Sequence, residues 1–147
     1  MSKDILENYK DDFFLLLEAG FVAVNATDED SAIKLFRAAE LLRPESTFPK
    51  IGFGYMHLCK LELKQAITLF REVLTKEPEN EMAKTFLGIC MTLIPTELSA
   101  GERSLEELTQ SNDSGIKKLA SMAIEFAEKF VKKAPAPLDP KKTQPRK

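Results

Sequence analysis

Apolar and polar positions follow the 3-4 spacing of amphipathic helices along most of this 147-residue chain. Short polar or proline-containing breaks interrupt the spacing at regular points. The predicted helices cover residues 3–25, 31–42, 51–61, 63–76, 82–93 and 115–133, and a less regular helix follows Ala100. The pattern therefore predicts an all-α fold, and its short breaks predict antiparallel helical hairpins.

The same residue types return at one constant interval along the chain, which we call the repeat interval. A glycine in the first helix of a hairpin and an alanine opening the second let the two helices approach closely. An aromatic ring one turn after the alanine fills the seam, and a proline ends the second helix. The repeated structural residues are Gly20, Gly54 and Gly88; Ala32, Ala66 and Ala100; Phe36 and Phe70; and Pro44 and Pro78.

The repeat interval, about 34 residues, is the period of the tetratricopeptide repeat, which this chain resembles. The resemblance implies a right-handed superhelix of about three helix-turn-helix repeats, at about 13–46, 47–80 and 81–114. Residues 115–133 would then form the capping helix that closes such an array, giving one domain over residues 1–133. Residues 134–147 hold four of the eight prolines and four basic residues against one aspartate, so we expect a disordered tail.

The third unit departs from the regular interval. After Ala100, the apolar residues Leu105 and Leu108 come one position late, which an extra residue around Gly101 would explain. A polar loop over residues 111–115 replaces the proline, and Ser114 is the predicted cap of the next helix.

Composition restricts the function. A net charge of −2 argues against electrostatic binding of nucleic acid, and we expect no membrane span because no apolar run approaches about 18 residues. Asp4 and Glu7 stand where a signal peptide would carry positive charge, so we expect a cytoplasmic protein. Cys59 and Cys90 lie in helical patterns without metal-ligand spacing, and we expect free, partly buried thiols.

The sequence contains no recognisable catalytic motif. Its single histidine, His57, falls on the face of its helix that should meet the second helix of the same hairpin, which predicts a core histidine. Glycine-rich phosphate loops, serine elbows and paired metal-ligand motifs are not found. We therefore expect a protein that is not an enzyme and uses no catalytic residues, cofactor or metal.

The resemblance implies a binding site, because tetratricopeptide proteins receive a partner along a concave face formed by their first helices. The matching positions here are almost all apolar, which favours a protein client presenting an amphipathic or apolar helix over an acidic tail. An alternative is that the N-terminal part of the first helix, or a second copy of the chain, covers the groove. The predicted groove residues are Phe14, Leu17, Phe21, Val24, Phe48, Ile51, Tyr55, Leu58, Met82 and Ile89.

A small, acidic, three-repeat chain with a capping helix and an apolar groove resembles the cytoplasmic chaperones of type III secretion. It is similar to those that hold needle subunits, and less closely to those that hold translocators. Lys50 and Lys84 depart from the repeat, which often has a large aromatic there. The resemblance implies a chaperone that keeps a self-assembling export substrate unassembled. The alternatives are a general tetratricopeptide scaffold and a homodimeric assembly factor, and a small co-chaperone remains open.

Overall fold

The computed structural model describes residues 2–133, and every regular element in that part of the chain is helical. This confirms the all-α prediction for those residues, while the predicted tail at 134–147 lies outside them. No helix in this range is long and apolar enough to cross a membrane. The α-helices are α1 Ser2–Asn8, α2 Phe13–Asn25, α3 Glu29–Leu42, α4 Phe48–Cys59, α5 Leu63–Lys76, α6 Glu81–Thr92, α7 Leu98–Leu108 and α8 Ser114–Phe126, with a 3-10 turn at Lys10–Asp12 and a π-helical turn at Ala127–Val131.

The N-terminal region is not the single helix predicted for residues 3–25. Helix α1 ends at Asn8, a 3-10 turn follows over Lys10–Asp12, and α2 begins only at Phe13. Aspartate has a low preference for the interior of a helix. Asp11 and Asp12 instead precede the N-terminus of α2, where the helix dipole favours negative charge. The break turns α1 away from α2, and α1 packs against α3.

Side-chain caps determine where several helices begin. Asp28 and Asn80 each accept the backbone N–H of the residue three positions later, at 3.1 and 2.9 Å. Asp113 accepts the backbone N–H groups of Gly115 and Ile116 at 2.8 and 3.1 Å and so caps α8. Ser114, which was predicted to be the cap, is instead the first residue of α8. A carboxylate can accept both N–H groups, which explains why the aspartate takes the position.

The helices pack in sequential antiparallel hairpins. Helix α2 pairs with α3, α4 with α5, and α6 with α7, and these are the most extensive contacts between helices. The second helix of each hairpin also packs against the first helix of the next, and α7 packs against α8. Contacts between α2 and α4, α4 and α6, and α6 and α8 align the first helices along one side.

Glycine and aromatic residues form the seam of the first two hairpins. A Cβ added at Gly54 would lie 2.6 Å from the Phe70 ring, and Gly20 packs equally closely against Phe36. Both rings are completely buried. The predicted glycine–aromatic contact is therefore present in both hairpins, and it positions the first helix over the second. Among the other predicted structural residues, Ala32 and Ala66 are buried, while Pro44 and Pro78 are exposed just beyond the ends of α3 and α5.

The third hairpin uses the same seam with one extra residue. Leu105 packs against Gly88, and this pair is one position further apart in the chain than Gly20 and Phe36. The small residue that α7 contributes to the seam is Gly101, where an added Cβ would lie 2.9 Å from the Gly88 carbonyl oxygen. The assignment of this position to Ala100 is therefore wrong, because the extra residue turns Ala100 to a partly exposed position.

Helix α8 and the π-helical turn after it end the array of helices, and only part of their apolar side chains is buried. Ile116 and Ala120 are buried together with Leu105 and Leu108 of α7, and Ala127 in the π-helical turn after α8 is also buried. Phe126, the last residue of α8, and Phe130, in the π-helical turn that follows, are exposed, and their rings contact each other at a centroid distance of 5.1 Å. No other helix of residues 2–133 covers these two rings, so they stay at the surface.

Candidate functional site

A row of large apolar side chains reaches the surface at the N-terminal ends of the first helices. Phe14 on α2, Phe48 on α4 and Met82 on α6 are 54%, 41% and 37% exposed. Each follows the previous one by the repeat interval, so each hairpin contributes one member. The Phe14 and Phe48 rings contact each other edge to face at 6.3 Å between centroids. The three side chains therefore extend across three neighbouring helices.

A second row lies two helical turns further along the same helices. Phe21, Tyr55 and Ile89 are each half-buried and are again separated by the repeat interval. The Phe21 and Tyr55 rings are 5.6 Å apart between centroids, and Tyr55 also contacts Phe86 at 5.3 Å. The two rows together form what we call the first-helix surface, which consists of Phe14, Phe48, Met82, Phe21, Tyr55 and Ile89.

The other four predicted groove residues belong to the core. Leu17 is 4% exposed and Ile51 has no exposed surface, and Val24 and Leu58 are also buried. These side chains lie in the seams where first helices pack against their neighbours, which removes them from solvent. The structure therefore contradicts their placement in an open groove and keeps six of the ten predicted residues at or near the surface.

Two buried threonines continue the core positions of the first helices into α6. Thr85 and Thr92 occupy the same places on α6 as Ile51 and Leu58 on α4, one repeat interval later. Their hydroxyls donate to backbone carbonyl oxygens of their own helix at 2.6 and 2.7 Å. A threonine satisfied within its helix suits a dry seam between helices. These positions therefore mark packing between helices.

Arg43 places a positive charge at the edge of the first-helix surface. Its guanidinium group lies over the rings of Phe13 and Phe14, at 4.6 and 5.2 Å from the centroids. One of its nitrogens also donates to the Lys10 carbonyl oxygen at 3.4 Å. Cation–π contact of this kind holds a ring in place without covering its other face. Sequence reasoning missed Arg43 because it lies beyond the end of α3, far along the chain from the rings that it contacts.

Tyr55 links the middle of the surface to the end of α2. Its hydroxyl donates to the Asn25 side-chain oxygen at 2.8 Å. Burial, together with the neighbouring Cys59, raises the pKa of Tyr55 to about 12. The phenol therefore stays protonated at neutral pH and keeps this hydrogen bond, which fixes the ring between the two hairpins.

The two cysteines differ in environment. Cys90 is completely buried, and burial raises its pKa to about 12. Cys59 is exposed at the end of α4, so the prediction of partial burial is wrong for both residues. Cys59 also borders a small cavity of about 120 Å³ between α2 and α4, lined in part by Val24 and Met56.

His57 belongs to an ion cluster at the turn between α4 and α5. Its Nδ1 lies 2.5 Å from a carboxylate oxygen of Glu62, and the side chain is only partly buried. Lys60 contacts both Glu62 and Glu29 at 2.8 Å. Hydrogen bonds first from Lys60 and then from His57 lower the pKa of Glu62. Within the described range, no group of three or more potential ligand side chains could hold a metal ion.

The surface is open in this structure. Helix α1 packs against α3, and the apolar row at Phe14, Phe48 and Met82 keeps its exposure. The arrangement can therefore contact another molecule through apolar and aromatic side chains, with one arginine at its edge. No protein-family model, curated protein or solved structure matches this chain.

Proposed function

We propose that this protein is a tetratricopeptide-type binding protein that holds the apolar face of a partner helix on the first-helix surface. The observation that carries the proposal is the pair of apolar rows at Phe14, Phe48 and Met82 and at Phe21, Tyr55 and Ile89. Large exposed apolar patches on a folded domain typically mark sites of protein interaction. The polar residues that would bind an acidic tail do not occur in these rows.

The repeat geometry supports the tetratricopeptide part of the proposal. Three hairpins follow one another, each with a small residue in its first helix packed against a large apolar residue of its second. The first helices contact one another along one side, as α2 with α4 and α4 with α6. Stacking of this kind is compatible with the superhelix of about three repeats that the sequence predicts, with α8 as its cap.

The dimensions of the surface suit one helix. The two rows are two turns apart along each first helix, which corresponds to about 10 Å, close to the diameter of a helix with its side chains. Neighbouring helix axes lie roughly 8–10 Å apart, so three first helices span about 20 Å. A partner helix of about 13 residues covers that distance and meets an apolar side chain on each first helix.

The narrower proposal is a cytoplasmic chaperone of protein export. A subunit that polymerises through an apolar helix must have that helix covered until it is exported, and binding suppresses its assembly by mass action. The resemblance to chaperones of type III secretion needle subunits supports this class of client. The proposal is compatible with a homodimer or with an added small co-chaperone, because one bound client helix occupies only one side of the array and leaves the other side free.

The test is to mix the full chain with the needle-type subunit of the same organism and to follow polymerisation by light scattering. We expect an equimolar amount of the chain to prevent assembly and to form a stable complex on gel filtration. The variant with Phe48→Asp and Met82→Asp should fail in both assays. Leu61→Asp is the matched control, because Leu61 is 70% exposed in the turn after α4, outside both rows. If the double variant still inhibited polymerisation, the first-helix surface would be excluded as the binding site. If the chain formed complexes only with large folded proteins, the result would favour a scaffold.

A further inference from the structure

Helix α2 has a second apolar face, which lies beside the first-helix surface. Leu15 and Val22 are 63% and 66% exposed, although both are large aliphatic residues. They are two helical turns apart and therefore share one side of α2, and the exposed Glu18 lies between them. We call these three residues the α2 outer face.

The same face is covered by a helix in the next two hairpins. On α4 the corresponding residues are Pro49, Gly52 and Met56, and all three are buried where α3 packs against α4. The Phe36 ring of α3 lies directly on Gly52, where an added Cβ would be 2.5 Å away. The fold itself therefore shows what fits this face, which is one amphipathic helix.

Helix α6 repeats the arrangement under α5. Ala83 and Cys90 correspond to Leu15 and Val22, and neither has any exposed surface. Phe86, which corresponds to Glu18, is partly buried and stacks on the Phe70 ring of α5. The residue that corresponds to Glu18 therefore contacts the central aromatic ring of the covering helix in both cases: Gly52 contacts Phe36, and Phe86 contacts Phe70.

Glu18 sets the chemistry of the helix that would cover α2. In place of Gly52 or Phe86 this position carries a carboxylate, which an aromatic ring cannot pair with. Covering an unpaired carboxylate costs free energy unless a cation and hydrogen bonds compensate for the lost water. A fitting helix therefore has apolar residues on both sides of a lysine or arginine, which replaces the ring of Phe36.

We propose that the α2 outer face docks an amphipathic helix of a separate protein, with a basic residue paired to Glu18, in the position that α3 takes on α4. A symmetric pair of this chain is a poor occupant, because a two-fold contact would bring Glu18 close to its own copy. Residues 134–147 are basic, but their four prolines do not suit a helix. This partner is a different protein from the client of the first-helix surface, and its binding does not depend on that client.

The probes are two synthetic peptides of residues 29–42, one with Phe36→Arg and one with Phe36→Glu. Fluorescence anisotropy measures their binding to the full chain. We expect the arginine peptide to bind about tenfold more tightly than the glutamate peptide, a difference of about 1.4 kcal/mol. Glu18→Arg in the protein should reverse that order, because the charge pair is then inverted. Val22→Asp should weaken both peptides by about tenfold or more, with unchanged circular dichroism.

Phe48→Asp separates this proposal from the proposed function. It changes the first-helix surface, so it should leave peptide binding unchanged even if it abolishes client binding. Equal affinity for the two peptides, no binding, or binding insensitive to Val22→Asp would overturn the proposal.

Sedimentation velocity identifies other occupants of the α2 outer face. Self-association that Val22→Asp removes would assign the face to a second copy, and peptide binding seen only after removal of residues 134–147 would assign it to the tail; both results contradict a separate partner.

Discussion

The Phe70 ring packs directly on Gly54, and a Cβ at that glycine would lie 2.6 Å from its Cε1 atom. Phe70 is completely buried and stacks against Phe86, so it cannot turn away without leaving the core. We therefore expect Gly54→Ala to destabilise the chain and Gly54→Leu to do so more strongly, by about 1–3 kcal/mol or more. Denaturant unfolding followed by circular dichroism measures the change.

Gly115→Ala is the control for that measurement. Gly115 is exposed in the first turn of α8, and the nearest atom to an added Cβ is an Asp113 carboxylate oxygen at 3.2 Å. Alanine favours a helix over glycine, so this change should cost little or add stability. An unfolding midpoint at Gly54→Leu equal to that of the parent would mean that the first and second helices do not meet at this seam.

Core and surface residues of the predicted groove should respond differently to the same change. Ile51 has no exposed surface, whereas Phe48, one turn earlier on α4, is 41% exposed. Ile51→Asp would bury an unpaired charge and should cost about 3 kcal/mol or more. Phe48→Asp should leave thermal unfolding almost unchanged while it abolishes client binding. Similar losses of stability in the two variants would show that Phe48 is also a core residue.

The seams were predictable because their chemistry repeats. A small residue in one helix and a ring in the next must meet for the helices to pack, and Gly54 and Phe70 recur at the interval that this requires. The extra residue in the third unit was also visible from the delay at Leu105. The exact small residue was not predictable, because Ala100 and Gly101 are both small and only the rotation of α7 distinguishes them.

Residue type alone could not predict which of the groove residues are exposed and which are buried. An apolar residue suits a core and a binding surface equally well, so Leu17 and Phe14 gave the same signal. Their difference comes from the close packing of α2 against α4, which covers one side chain and leaves the other exposed. The break before α2 was similarly missed, since the apolar spacing continues through Tyr9 although Asp11 and Asp12 favour a helix start.

The two thiols should react at very different rates. Cys59 is exposed, while Cys90 is completely buried with a pKa raised to about 12 by that burial. Because the thiolate is the reactive form, Ellman's reagent at neutral pH should modify one thiol per folded chain and two after unfolding in guanidinium. Cys59→Ser should remove the fast reaction and leave the slow one. Rapid modification of both thiols in the folded chain would contradict the packing of α6 against α5 and α7.

Glu62 should make stability depend on pH in the acidic range. Lys60 first and His57 second lower its pKa below the ordinary value of 4.5. A carboxyl whose pKa is lower in the folded state stabilises that state above the unfolded pKa, and the contribution is lost as pH falls through the folded pKa. Glu62→Gln should therefore lower the thermal midpoint at pH 6, and the difference from the parent should shrink steadily below pH 4.5. Glu45→Gln removes the same charge from an exposed turn and controls for net charge. If the effect of Glu62→Gln were the same at pH 3 and pH 6, the ion cluster would not be the cause.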